Sequence, residues 1–131
     1  MADILIVEDE HALGSALALA ARRLGHLPVL SASGGAALQT LESRSFDAVV
    51  LDIGLPDISG LEVLNRMRAA GSRVPVLMIT AHATLDHAIA SQKLGVADYL
   101  TKPLDLRRFE ESLSALVNKG VLVGKPMEYG A

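Results

Sequence analysis

The chain has 131 residues, 50% of them hydrophobic, enough for one compact domain with a buried core. Its net charge of −3, with Lys and Arg scattered, excludes the basic footprint of a nucleic-acid binder, and 3% aromatic content leaves an aliphatic core without base-stacking platforms. The absence of cysteine excludes disulfides, thiolate metal sites and thiol redox chemistry, and suits a reducing compartment.

The opening MADILIVEDEH lacks the basic flank and longer apolar stretch of a signal peptide, and no run approaches transmembrane length. A soluble, cytoplasmic protein with no membrane partner is expected. Ile4 to Val7 reads as a first strand, followed by Leu13, Leu17, Ala20 and Leu24 at helical spacing, with Gly25 at the helix end. Pro28 to Leu30 is a weaker strand, and Ala37, Leu38 and Leu41 lie on a second helix. Ala48 to Leu51 is the third strand; Leu61, Leu64 and Met67 form a third helix that Gly71 ends. Val76 to Ile79 leads to Thr84, a helix cap, and to Leu85, Ala88 and Ile89, with Gly95 as the stop. Asp98 to Leu100 is the fifth strand, and Asp105 caps a last helix bearing Phe109, Leu113, Leu116 and Val117. After Lys119 the segment GVLVGKPMEYGA loses helical spacing, so residues 1–119 are expected to form the domain and 120–131 a tail or the start of a linker. Its GVLVGKP is not a Walker loop, having one residue too few between the glycines and Pro126 after the lysine.

Short β-branched runs alternating with helices predict an α/β fold with a doubly wound parallel sheet, its strands buried on both faces. The polar residues then fall in a pattern. Glu8 and Asp9 follow the first strand, Asp52 ends the third, Thr80 follows the fourth and Lys102 follows the fifth. Ligands of open α/β sheets bind beyond the carboxyl ends of the strands, and a strand order of 2-1-3-4-5 sets the first and third side by side there. Three carboxylates so gathered repel one another unless a cation neutralises them. All-oxygen donors select Mg²⁺ or Mn²⁺. With the Lys102 ammonium and the Thr80 hydroxyl, the set suits transfer of a phosphoryl group to Asp52 as an aspartyl phosphate.

Together these segments resemble the receiver domain of bacterial two-component response regulators. ILIVEDE is similar to the acidic-pair strand, VVLDIGLPDISGLEVL to the phosphoacceptor segment, VLMITA to the segment ending in the switch hydroxyl, and ADYLTKP to the segment bearing the lysine. The resemblance spans residues 3 to about 118 and implies a flavodoxin-like (βα)5 sandwich. It implies that Asp52 accepts a phosphoryl group from a phosphohistidine on a sensor histidine kinase or histidine phosphotransfer protein. Mg²⁺ would be held by Asp9, Asp52 and the backbone carbonyl of Gly54, with Glu8 acting partly through water. Thr80 and Tyr99 would be the switch pair, and the signal would leave through the fourth helix, fifth strand and fifth helix to an effector domain, a protein target or a second copy of the chain. A cis peptide between Lys102 and Pro103 is implied as well, a form that X-Pro bonds tolerate. Gly54 and His82, two residues after Asp52 and Thr80, would border the path of the hydrolytic water, so a long-lived phosphoryl group is expected.

Single residues also have blander readings. Asp52 alone reads as a turn residue, Thr80 as a helix cap, Lys102 as a solvated lysine and Tyr99 as packing; Asp57 would shape its loop and Gly60 start a helix. His82 and His87 are five apart, off the spacing that puts two imidazoles on one helical face, and His11 and His26 have no partner, so packing or surface roles outweigh zinc ligation. Competing functions are an aspartyl-phosphate metal-dependent phosphohydrolase and a phosphorylation-independent docking module. The hydrolase ordinarily carries a carboxylate where this chain has Gly54. The chain is expected not to be an enzyme beyond its own phosphorylation and dephosphorylation.

Overall fold

Five βα units follow one another in the structure, a computed structural model that describes residues 1–121. They are β1 (Asp3–Val7), α1 (His11–Arg23), β2 (Leu27–Ser31), α2 (Gly34–Ser43), β3 (Ala48–Asp52), α3 (Gly60–Ala69), β4 (Val76–Thr80), α4 (Leu85–Lys93), β5 (Asp98–Thr101) and α5 (Leu106–Val121). The strands form one parallel sheet in the order β2-β1-β3-β4-β5. Helix α5 continues past Lys119 to Val121, and the remainder of the expected tail lies outside the described residues.

Strand periodicity divides the core between the two faces. Ile4, Ile6, Val50 and Ile79 pack against Leu17 of α1 and Phe109 and Leu113 of α5. Their neighbours Leu5, Val7, Leu51 and Met78 pack against Ala37 of α2 and Val63, Leu64 and Met67 of α3. Each large side chain so buried stabilises the fold by roughly 1.5–3 kcal/mol relative to exposure. Every residue of β3 and β4 is buried, which explains why these strands read as unbroken apolar runs ending in one polar residue each, Asp52 and Thr80.

Helix ends follow the expected chemistry. Gly25, Gly71 and Gly95 take positive φ values of 87°, 91° and 73° just beyond α1, α3 and α4. Thr84 accepts from the His87 N–H at 3.1 Å, and Asp105 from the Arg107 N–H at 2.9 Å. Ser33 and Ser59 cap α2 and α3 in the same way.

One helix departs from expectation. The apolar row of α4 faces solvent, with Leu85 74% and Ile89 41% exposed, while Ser91 is fully buried and His87 half-buried. Apolar spacing marks α4 as a helix but does not choose its inward face: small and polar residues lie against the sheet, and the leucine and isoleucine are left outside.

Candidate functional site

Parallel register brings the polar residues to one end of the sheet. Val7 of β1 is opposite Leu51 of β3, so Glu8 and Asp9 emerge beside Asp52. Thr80 pairs with Thr101, which places Lys102 one residue beyond the end of β4. A cleft of about 420 Å³ results, lined by Glu8, Asp9, Asp52, Gly54, Thr80, His82 and Lys102 among others. Of the residues proposed for the site from the sequence, Pro103 does not line the cleft, and neither does the aromatic Tyr99. That ring packs on the other side of β5, in the layer of Met78 and Leu94, with its hydroxyl buried and without a hydrogen-bond partner. Burial raises the phenol's pKa.

The Lys102 ammonium is the hub. Its Nζ lies 2.9 Å from Asp52 Oδ2, which accepts a hydrogen bond, and 2.9 Å from Glu8 Oε1, an ion pair outside hydrogen-bond geometry. Burial alone would favour neutral lysine, but the hydrogen bond to Asp52 and the charges of Asp52 and Glu8 outweigh it and hold the pKa above the usual value. Asp52 is 2% exposed, and its other oxygen, Oδ1, accepts from the Gly54 N–H at 3.0 Å. Glu8 is 4% exposed and accepts from the Glu10 N–H at 2.9 Å. Its pKa is raised, chiefly by burial and further by the Asp52 charge, against the opposing pull of Glu10 and Lys102. Thr80 is buried, and its Oγ1 accepts from the His82 N–H at 3.1 Å, leaving the hydroxyl proton free to be donated. The Lys102–Pro103 peptide is cis.

One carboxylate oxygen each from Glu8, Asp9 and Asp52 lies within 4.8 Å of the others, and Asp9 is the exposed member. Three carboxylates against one ammonium leave the cleft negative. A hard divalent cation with oxygen ligands fits both the donor set and this charge, and the exposed Asp9 leaves room for its waters. The sequence reading missed His87, which joins the lining from the first turn of α4 with a buried Nδ1 that has no hydrogen-bond partner. No sequence signal pointed there, because spacing alone had removed His87 from consideration as a zinc ligand.

The chain matches the response regulator receiver domain over residues 4–114. It belongs to that family. Among curated relatives it is 38% identical over 116 residues to the transcriptional regulatory protein QseB of Haemophilus influenzae, covering 88% of this chain and 52% of the relative. It is 40% identical over 123 residues to the transcriptional regulatory protein TcrA of Mycobacterium tuberculosis, covering 94% of this chain and 49% of the relative. The chain thus spans about half the length of these relatives. Among solved structures, the signal receiver domain of a putative Luxo repressor protein from Vibrio parahaemolyticus superposes with a TM-score of 0.89 at 26% identity, covering 94% of this chain and 95% of that one. A CheY-like response regulator receiver domain protein from Methanospirillum hungatei gives a TM-score of 0.86 at 26% identity, covering 90% and 94%. Receiver domains are signalling modules, and this one is a phosphoacceptor switch of the two-component type. No helix among the described residues is long and apolar enough to cross a membrane.

Proposed function

We propose that residues 1–119 act as a receiver in which Asp52 takes a phosphoryl group from the phosphohistidine of a sensor histidine kinase or phosphotransfer protein, in the cytoplasm. The contact that carries this reading is the Lys102 ammonium 2.9 Å from Asp52 Oδ2, a fixed positive charge beside a buried carboxylate. With Oδ2 so held, Oδ1 is the oxygen placed to attack phosphorus; the new O–P bond forms as the P–N bond breaks, and the donor imidazole leaves with a proton. Lys102 and the free Thr80 proton then face oxygens of the transferred group. Glu8, Asp9, Asp52 and the Gly54 carbonyl would hold Mg²⁺ or Mn²⁺, which supplies neutralisation of charge on the transferring group.

Thr80 and Tyr99 are the proposed switch pair. The aspartyl phosphate favours the active form only to the extent that Thr80 and Lys102 contact it differently there. The output surface is the α4-β5-α5 face, where Leu85, Ile89 and Leu106 are 74%, 41% and 43% exposed. An apolar face of this kind suits a protein target, an effector domain or a second copy of the chain. Gly54 offers no side chain to orient hydrolytic water and His82 borders its approach, so the phosphoryl group is long-lived, and the domain catalyses nothing beyond its own phosphorylation and dephosphorylation.

Incubation with acetyl phosphate and Mg²⁺, followed by intact mass, tests the reading. One stable phosphate adduct that disappears in Asp52→Ala is the expected result. Multiple turnover of the donor would indicate a phosphohydrolase, and no adduct a docking module. A dephosphorylation time course showing rapid loss would overturn the roles given to Gly54 and His82.

A further inference from the structure

The loop between β3 and α3 is tied to an element far from it in sequence. Asp57 Oδ1 accepts from the Gly34 N–H at 2.9 Å and Oδ2 from the Gly35 N–H at 2.8 Å, so each oxygen takes one amide from the first turn of α2. This is more than a helix cap, because Ser33 already caps α2 through the Ala36 N–H at 3.1 Å. Close packing accompanies the bonds. A Cβ on Gly34 would lie 2.5 Å from Ile58 Cγ1 and 2.9 Å from Val63 Cγ2, so the start of α2 fits directly against the loop and α3.

The other end of the loop is pinned to the phosphoacceptor strand. The Gly60 N–H donates to the Ile53 carbonyl at 2.8 Å, and a Cβ on Gly60 would strike the Asp52 carbonyl oxygen. Between these pins lies Gly54, held by its N–H to Asp52 Oδ1 at 3.0 Å. That hold is conditional. Lys102 occupies Oδ2, so Oδ1 is the oxygen left for a cation or a phosphoryl group, and once it is engaged Gly54 has lost part of its anchor. Something else must then keep the loop in place.

We infer that Asp57 is a positioning residue for the metal site: by clamping the β3–α3 loop to the N-terminus of α2, it keeps the Gly54 carbonyl aimed at the cation when Asp52 Oδ1 is engaged. The inference rests on the receiver reading above. Titration of the full chain with Mg²⁺ alone, followed by calorimetry, tests it in wild type, Asp57→Ala and Gly35→Ala. Asp57→Ala is expected to weaken Mg²⁺ affinity about tenfold, the low end for residues that support metal ligands. Gly35→Ala separates positioning from stability. Its added Cβ would sit 3.1 Å from Asp57 Oδ2 and push that oxygen a few tenths of an ångström off its amide, loosening the clamp, yet alanine favours helix over glycine, so the thermal midpoint is expected to hold or rise while Mg²⁺ affinity falls. Unchanged affinity in both variants, or a loss in Asp57→Ala alone that follows its lost stability, overturns the inference. Wild-type protein that binds no Mg²⁺ overturns the receiver reading itself and the inference with it.

Discussion

Two polar clusters sit at opposite ends of the same sheet and are satisfied in opposite ways. At the amino end of β4, Arg68 in the last turn of α3 donates to four carbonyls: Leu94 at 2.8 Å, Val74 at 2.9 Å, Ser72 at 3.1 Å and Gly95 at 3.4 Å. These belong to the segments that end α3 and α4, so one planar guanidinium latches two helix ends and the entry to β4. Burial, then the neighbouring Arg73, lowers its pKa, but its donors are occupied by neutral acceptors. At the carboxyl end, Glu8 and Asp52 share one ammonium, and Asp9 adds a third carboxylate with no cation of its own beside it among the described residues. The latch is complete within the chain; the site is left to be completed by a cation and a phosphoryl group. A cluster that is already satisfied holds the fold, whereas one that is not can respond.

The largest effect expected from this contrast is at the latch. Arg68→Ala removes every donor and leaves the carbonyls at α3 and α4 without a partner, at about 2–3 kcal/mol of stability. Urea denaturation at neutral pH measures it, with the Asp52 adduct still forming in the variant. A loss under about 0.5 kcal/mol, the level of an ordinary surface change, would show that the latch does not hold the two ends together.

At the site the sign reverses. In metal-free buffer, Asp52→Asn removes one of the crowded charges and is expected to raise stability, on the order of 1 kcal/mol, the size of a one-unit pKa change in a neighbouring group. Mg²⁺ at about a hundred times its dissociation constant should stabilise wild type by about 2.7 kcal/mol by mass action, and Asp52→Asn far less. Thermal melts with and without Mg²⁺ read both effects. Destabilisation by Asp52→Asn without metal would mean that its bond to Lys102 outweighs carboxylate repulsion.

Which of these features could be read from the sequence follows from their range. Asp52, Asp9, Thr80 and Lys102 were legible because each ends a strand or follows one closely, and parallel register carries local order across the sheet. The caps Thr84 and Asp105 were legible for the same local reason. Asp57 read as a loop residue because its partners, Gly34 and Gly35, are 23 and 22 positions away and offer only backbone amides. Arg68 was invisible likewise, since its acceptors are carbonyls that every residue possesses. His87 was missed because the inward face of α4 is set by the packing around it and not by its apolar row.

The smallest expected effect sharpens the contrast within a single residue type. Asp57 has its pKa lowered to about 2 by the amides of Gly35, Gly34 and Ile58, whereas the pKa of Glu8 is raised, first by burial and then by Asp52. The two contribute to acid stability with opposite signs. Asp57 binds its proton less readily folded than unfolded, so its contribution is fully present above its ordinary pKa of 3.8 and is lost as pH falls towards 2. Glu8 binds its proton more readily folded, so acid relieves the repulsion it brings. Asp57→Asn isolates the first contribution, because the amide does not titrate and every other carboxylate is common to both proteins. The variant should be less stable at neutral pH, and its deficit should shrink between about pH 5 and pH 2 in urea denaturation series. A deficit independent of pH would mean that the α2 amides do not hold the ionised carboxylate, and the clamp on the loop would lose its charge-assisted half.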